Sequence, residues 1–127
     1  MGDRDDRGPV SIDDLPSVEL EERQLAAYDR PIGIRLLHTD TDSGAEHYLV
    51  RYAAGTRGRW HRHTEAHTIV VLEGRLSVNG TEVGPMAYCH FPAGEPMHHA
   101  PAGEQDCLFL NLFHGPSDVE VLDGPSV

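Results

Sequence analysis

Three features of the sequence predict an all-β fold. Apolar residues come in short runs, no window carries a helical apolar stripe, and the runs are broken by Gly, Pro and Asp-Ser clusters. Read as strands, the runs fall at about residues 32–39, 46–54, 57–63, 67–73, 75–79, 81–83, 86–91, 98–100 and 107–114, with a last strand at 118–122. Many short strands at this spacing describe a sandwich, a jelly roll or a small barrel.

Taken in order, residues 1–16 are rich in Asp, Arg, Gly and Pro and too poor in apolar positions to offset the entropy of ordering. They are expected to form a flexible acidic tail, leaving residues 17–127 as a single domain. Residues 17–28 are expected to form a short helix, with Glu19, Glu21 and Glu22 near its positive end and Pro31 stopping it. Asp42-Ser43-Gly44 suits a hairpin connection between the first two runs. Asn79-Gly80 suits a two-residue type I′ turn, which needs positive φ at both positions.

At 127 residues the chain has room for one core. No stretch approaches the roughly 20 apolar residues of a membrane span, and the charged first residues lack the apolar segment of a secretory leader. The expected compartment is the cytoplasm. Cys89 and Cys107 permit at most one disulfide and are read as reduced thiols. Net charge is -11, from 10 Arg and no Lys against 21 Asp+Glu. Such a surface repels phosphate backbones and anionic lipid, which argues against nucleic acid or membrane as a partner.

The main clue is histidine. Nine are present, and six of them lie between positions 61 and 99. On a strand, His61 and His63 point to one face about 6–7 Å apart, close enough to converge on one ion. His67 shares their parity, but extended chain would carry it about 20 Å from His61. Thr64, Glu65 and Ala66 are therefore expected to form a tight loop, with residues 68–73 returning as the antiparallel partner of the first strand. Three neutral imidazoles facing one point suit Fe, Mn, Zn or Cu, whereas Ca or Mg would call for oxygen ligands.

At these residues the chain resembles the cupin superfamily, whose first motif reads G-x5-H-x-H-x3/4-E-x6-G. Gly55, His61, His63 and Gly74 stand at the required spacings, and His67 stands where most members carry a metal-binding glutamate. In this it is similar to the smaller set of four-histidine cupins. The second motif, commonly P-x-G-x2-H, is matched with an insertion by Pro92, Gly94 and the pair His98-His99. His98, needing one inserted residue rather than two, is the expected fourth ligand.

The resemblance implies a jelly-roll β-sandwich (cupin) with one transition metal ion per chain on His61, His63, His67 and His98. Fe, Mn or Zn is expected ahead of Cu or Ni. It further implies a metal-dependent enzyme for a small enolisable, phenolic or polyketide-like substrate. A dioxygen-dependent reaction, of the dioxygenase type, is preferred. A non-redox zinc-dependent polyketide cyclase or isomerase is the near alternative, and a metal- or ligand-binding sensor is third. A homodimer formed by pairing sheet edges is also implied.

Glu65 is a candidate catalytic acid or base near the metal. Tyr48, Tyr88 and Asn111 are candidate hydrogen-bond partners in the cavity, while Trp60, Phe91, Met97, Phe109 and Phe113 are read as core or cavity lining. His38, His47, His90 and His114 are read as ordinary solvated side chains. No Ser/His/Asp arrangement and no phosphate-cradling glycine loop is present.

Overall fold

The computed structural model describes residues 10–124. Among them a 3-10 turn at Leu15–Ser17 precedes eleven strands: β1 Glu21–Arg23, β2 Ile32–Thr39, β3 Glu46–Tyr52, β4 His61–His63, β5 His67–Glu73, β6 Arg75–Val78, β7 Thr81–Val83, β8 Tyr88–Phe91, β9 His99–Ala102, β10 Cys107–Phe113 and β11 Val119–Val121. Each predicted run holds a strand: β2, β5 and β7 keep its full length, β9 runs on to Ala102, and the others are trimmed by one to four residues.

Two layers result. One is a six-stranded antiparallel sheet in the order β1-β2-β3-β10-β5-β8. The other consists of the pair β11-β4 and the triplet β7-β6-β9. Met97, two residues before β9, joins these two pieces, because His61 and Met97 exchange both backbone hydrogen bonds at 2.8 Å. Between the layers lies a core of Ile32, Val50, Ile69, Val71, Leu76, Phe91, Met97, Cys107 and Phe109. This is the jelly-roll sandwich that the sequence led us to expect.

Both predicted turns form. Asn79 and Gly80 have φ of 48° and 89°, as a type I′ turn requires, and Val78 pairs with Thr81 across it. Gly44, at φ 76°, closes the β2–β3 hairpin with its N–H donating to the Asp40 carbonyl. Cys89 and Cys107 are free thiols.

Two local expectations are corrected. Residues 17–28 form no helix: the charged run Glu21–Arg23 becomes edge strand β1, paired with Ile32–Ile34 of β2. Pairing with a neighbouring sheet edge satisfies this backbone more completely than an isolated turn or two of helix. Nor does β5 return beside β4. β4 pairs with β11 and β5 with β10 and β8, so residues 64–66 cross from one sheet to the other. The expected flexible tail is described only from residue 10, and residues 1–9 lie outside the described residues. Ile12, in the part described, is exposed.

Candidate metal centre

Strand parity builds the site. In β4, His61 and His63 turn inward and are buried, while Arg62 turns outward to pair with Glu120 of β11 at 2.7 Å. His67 opens β5 in the facing sheet, so the crossing at residues 64–66 brings its ring centroid to 4.4 Å from that of His63. His99 opens β9 beside β4, with its ring 5.1 Å from that of His61. His61 and His63 are 5.2 Å apart. Four imidazoles from three strands thus stand side by side in the interior.

The fourth ring is His99, which corrects the expectation of His98. Neighbouring residues at the start of a strand face opposite sides, so only one of the pair can enter the site. His99 is fully buried. His98 turns the other way and stacks on Trp60, with ring centroids 5.0 Å apart and planes 17° from parallel. Its backbone is tied to the Asn79 turn: its N–H donates to Asn79 Oδ1 at 2.8 Å, and its carbonyl accepts from the Asn79 N–H at 2.9 Å. The extra chain after Gly94 is taken up in the loop before Met97.

Burial dictates the charge state of this cluster. Loss of water, with mutual repulsion of the rings added to it, pushes His63 down to about 4 and His67 down to about 3. The same causes hold His99 well below the usual imidazole value. Burial lowers His61 as well, opposed by a hydrogen bond to the Arg59 carbonyl. All four are neutral at physiological pH, the form in which imidazole ligates metals.

The nitrogens test the fit. At His61, Nδ1 donates to the Arg59 carbonyl at 2.7 Å, which leaves Nε2 with a bare lone pair. Nδ1 of His99 is engaged with the Tyr52 hydroxyl at 2.9 Å, and its buried Nε2 has no partner. His67 has neither nitrogen partnered, although both are buried. Buried nitrogens of this kind are costly unless something outside the protein meets them. Among the described residues no three His, Cys, Asp or Glu side chains form a ready-made ligating group as they stand. The donor set itself, neutral imidazoles with free lone pairs, is that of a transition-metal site rather than one for Ca or Mg.

A cavity of about 330 Å³ opens beside the cluster. His61, His63 and His99 form part of its wall, with Ile32, Ile34, Val50, Phe113, Val119 and Val121 as apolar lining. Tyr28, Tyr48, Tyr52, Asn111 and Ser117 supply polar groups, and Asn111 Oδ1 is buried without a partner. Tyr48 and Asn111 therefore reach the cavity. Tyr88 is 71% exposed and does not. Glu65 is not part of the cavity wall and lies against the Gly115 backbone, where an added Cβ would meet its Oε1 at 2.9 Å. Phe91, Met97 and Phe109 are core.

Tyr28 and Tyr52 were not singled out by the sequence. Tyr52 shares the parity of Tyr48 on β3, which is a readable signal. Tyr28 sits in the segment misread as helix and carries none. It is positioned by a backbone bridge to Gly58, by the Arg59 N–H donating to the Ala27 carbonyl at 2.7 Å, and by Asp29 Oδ1, which accepts from the Arg57 N–H at 2.9 Å. Gly58 makes this approach possible, since a Cβ there would lie 2.3 Å from the His99 carbonyl oxygen.

Comparison with known proteins agrees with this architecture. The fold is similar to those of a cupin-like protein from Thermotoga maritima (16% identity, 82% of this chain and 86% of that one, TM-score 0.70) and an acetylacetone dioxygenase from Acinetobacter johnsonii (20%, 85% and 74%, TM-score 0.67). It is also similar to that of the polyketide cyclase RemF from Streptomyces resistomycificus (23%, 81% and 80%, TM-score 0.67). No curated protein sequence gives a significant match. The family model of the ChrR cupin-like domain matches residues 17–118, and with four inward imidazoles at the positions of the two cupin motifs the chain belongs to that family of the cupin superfamily.

Proposed function

We propose that the chain is a metal-dependent enzyme that holds one transition metal ion on His61, His63, His67 and His99 and acts on a small enolisable or phenolic molecule in the adjacent cavity. The observation that carries this reading is His67, a fully buried imidazole with neither nitrogen partnered, next to three other neutral imidazoles. When bound, the metal supplies Lewis acidity to a coordinating oxygen and, if it is iron or manganese, access to dioxygen chemistry. The chain's own residues do the rest. Ile32, Ile34, Val50 and Phe113 exclude water and accept an apolar body. Asn111, whose buried Oδ1 has no partner, offers a hydrogen bond that orients it, while the Tyr48 hydroxyl beside it already donates to Glu46 at 3.1 Å. With four neutral ligands the metal keeps its full charge, which favours an anionic oxygen such as an enolate.

A dioxygenase-type reaction is the first reading, in keeping with the fold shared with an acetylacetone dioxygenase. A zinc-dependent cyclisation or isomerisation is the second, in keeping with the fold shared with a polyketide cyclase. Elemental analysis of protein purified without chelator, histidine tag or added metal tests the proposal and separates the two. Near-stoichiometric iron or manganese, with oxygen uptake on adding diketones or polyphenols, supports the first. Zinc supports the second, and protein free of any bound metal refutes both. A homodimer is the proposed assembly, to be checked by light scattering.

A further inference from the structure

Behind the cluster runs a chain of hydroxyls. Tyr52 Oη lies 2.9 Å from His99 Nδ1 and is also hydrogen-bonded to Tyr28 Oη, and both tyrosines line the cavity. Tyr52 has one proton for these two neighbours, so the chain runs in one of two directions. If Tyr52 donates to Nδ1, the proton of neutral His99 sits on Nε2, where no acceptor meets it. If Nδ1–H donates to Tyr52, Nε2 presents a bare lone pair to the other imidazoles, and buried Tyr52 donates onward to Tyr28, because accepting from both neighbours would leave its own proton without a partner. The Tyr28 hydroxyl then accepts from its only hydrogen-bond partner among the described residues. Its own proton is left without an acceptor among them.

We propose that Tyr52 is a positioning residue that fixes His99 as the Nδ1–H tautomer, and that Tyr28 in consequence donates its hydroxyl proton into the cavity, to an oxygen of the bound ligand. The inference rests on the reading of His99 as a metal ligand, because a cation at Nε2 selects the second direction. It deepens that reading by naming the group that recognises an enolate or phenolate oxygen. The two ends of the chain are rigidly held. Tyr52 and His99 stack at 5.9 Å with planes 13° from parallel, and the bridge to Gly58 anchors Tyr28.

The test uses the full chain loaded with zinc, which forms no redox products. Long-range nitrogen-15 NMR reads the His99 tautomer, competition with a chelator reads zinc affinity, and acetylacetone serves as the oxygen probe. We expect a proton on His99 Nδ1. Tyr52→Phe should lower zinc affinity about tenfold or more, as loss of a hydrogen bond behind a ligating histidine does. Tyr28→Phe should lower zinc affinity less than Tyr52→Phe does, while weakening acetylacetone on the zinc-saturated protein about tenfold, the scale of one hydrogen bond to an anionic oxygen. Circular dichroism of both variants confirms the fold, and if Tyr52→Phe does not fold, the NMR result and Tyr28→Phe decide. Wild-type protein that binds no zinc refutes the metal reading and this inference together. Zinc bound with His99 protonated at Nε2, no acetylacetone binding to the zinc-loaded wild type, or equal acetylacetone affinity in Tyr28→Phe overturns the inference alone.

Discussion

His67 occupies a position where cupins more commonly carry a glutamate, and its surroundings explain why an imidazole is tolerated there. Its ring stacks on Phe91 at 4.6 Å, 12° from parallel, an apolar seat that would leave a carboxylate poorly solvated. His67→Glu is nevertheless expected to keep metal bound, with a changed reaction, as read by metal content and product analysis. His61→Ala and His99→Ala should each abolish stoichiometric metal, whereas His98→Ala should retain it, since His98 packs on Trp60 outside the cluster. The low values of His63 and His67 also make metal-free protein acid-sensitive. Both are depressed from 6.5, to about 4 and about 3, so the unfolded chain takes up protons that the folded chain refuses. Stability is complete above pH 6.5 and falls as pH drops toward the folded values. For His63 alone the loss is on the order of 3 kcal/mol, at about 1.4 kcal/mol per pH unit. Urea midpoints of metal-free protein should decline between pH 6.5 and 4.5, and a flat profile there would contradict the burial of the cluster.

At the level of strands, the sequence was legible where an apolar run is bounded by turn residues such as Gly44, Gly74 and Asn79-Gly80. β2, β5 and β7 match their predicted runs, and the inward pair His61 and His63 follows from parity alone. Parity also decides which of His98 and His99 turns inward, but the insertion after Gly94 hid the register, and counting residues from the motif selected the neighbour that stacks on Trp60 instead of joining the cluster. The pairing of β4 was hidden for another reason. A loop of three residues serves a hairpin or a crossing between sheets equally well, and only the presence of β11 as a partner for β4 decides between them. β1 was missed because three charged residues show no apolar pattern, and its role as an edge depends on β2. Gly58 is a demanding position between such elements. Gly58→Ala would force a Cβ to 2.3 Å from the His99 carbonyl, and we expect loss of metal together with destabilisation of about 2 kcal/mol or more. Gly80→Ala meets open space and should cost only the left-handed strain of its φ of 89°, about 1 kcal/mol. Denaturation curves with parallel metal analysis of the two variants check the contrast.

For the molecule as a whole, the two sheets contribute unequally to rigidity. β3, β10 and β5 are central strands, paired on both sides and rich in buried residues, whereas β4 and β11 form a two-stranded unit held to the triplet through Met97. Backbone protection in hydrogen exchange should follow this division. Amides of β3, β5 and β10 are expected to exchange only by global opening, and those of residues 20–28 and 119–121 by local opening at lower free energy. A ligand filling the cavity should slow the second group selectively. The same division places the cavity between the two outermost pieces of the domain: Arg23 and Leu25 to Tyr28 on one side, Ser117, Val119 and Val121 on the other. Its occupant would act as a rivet joining the beginning of the domain to its end.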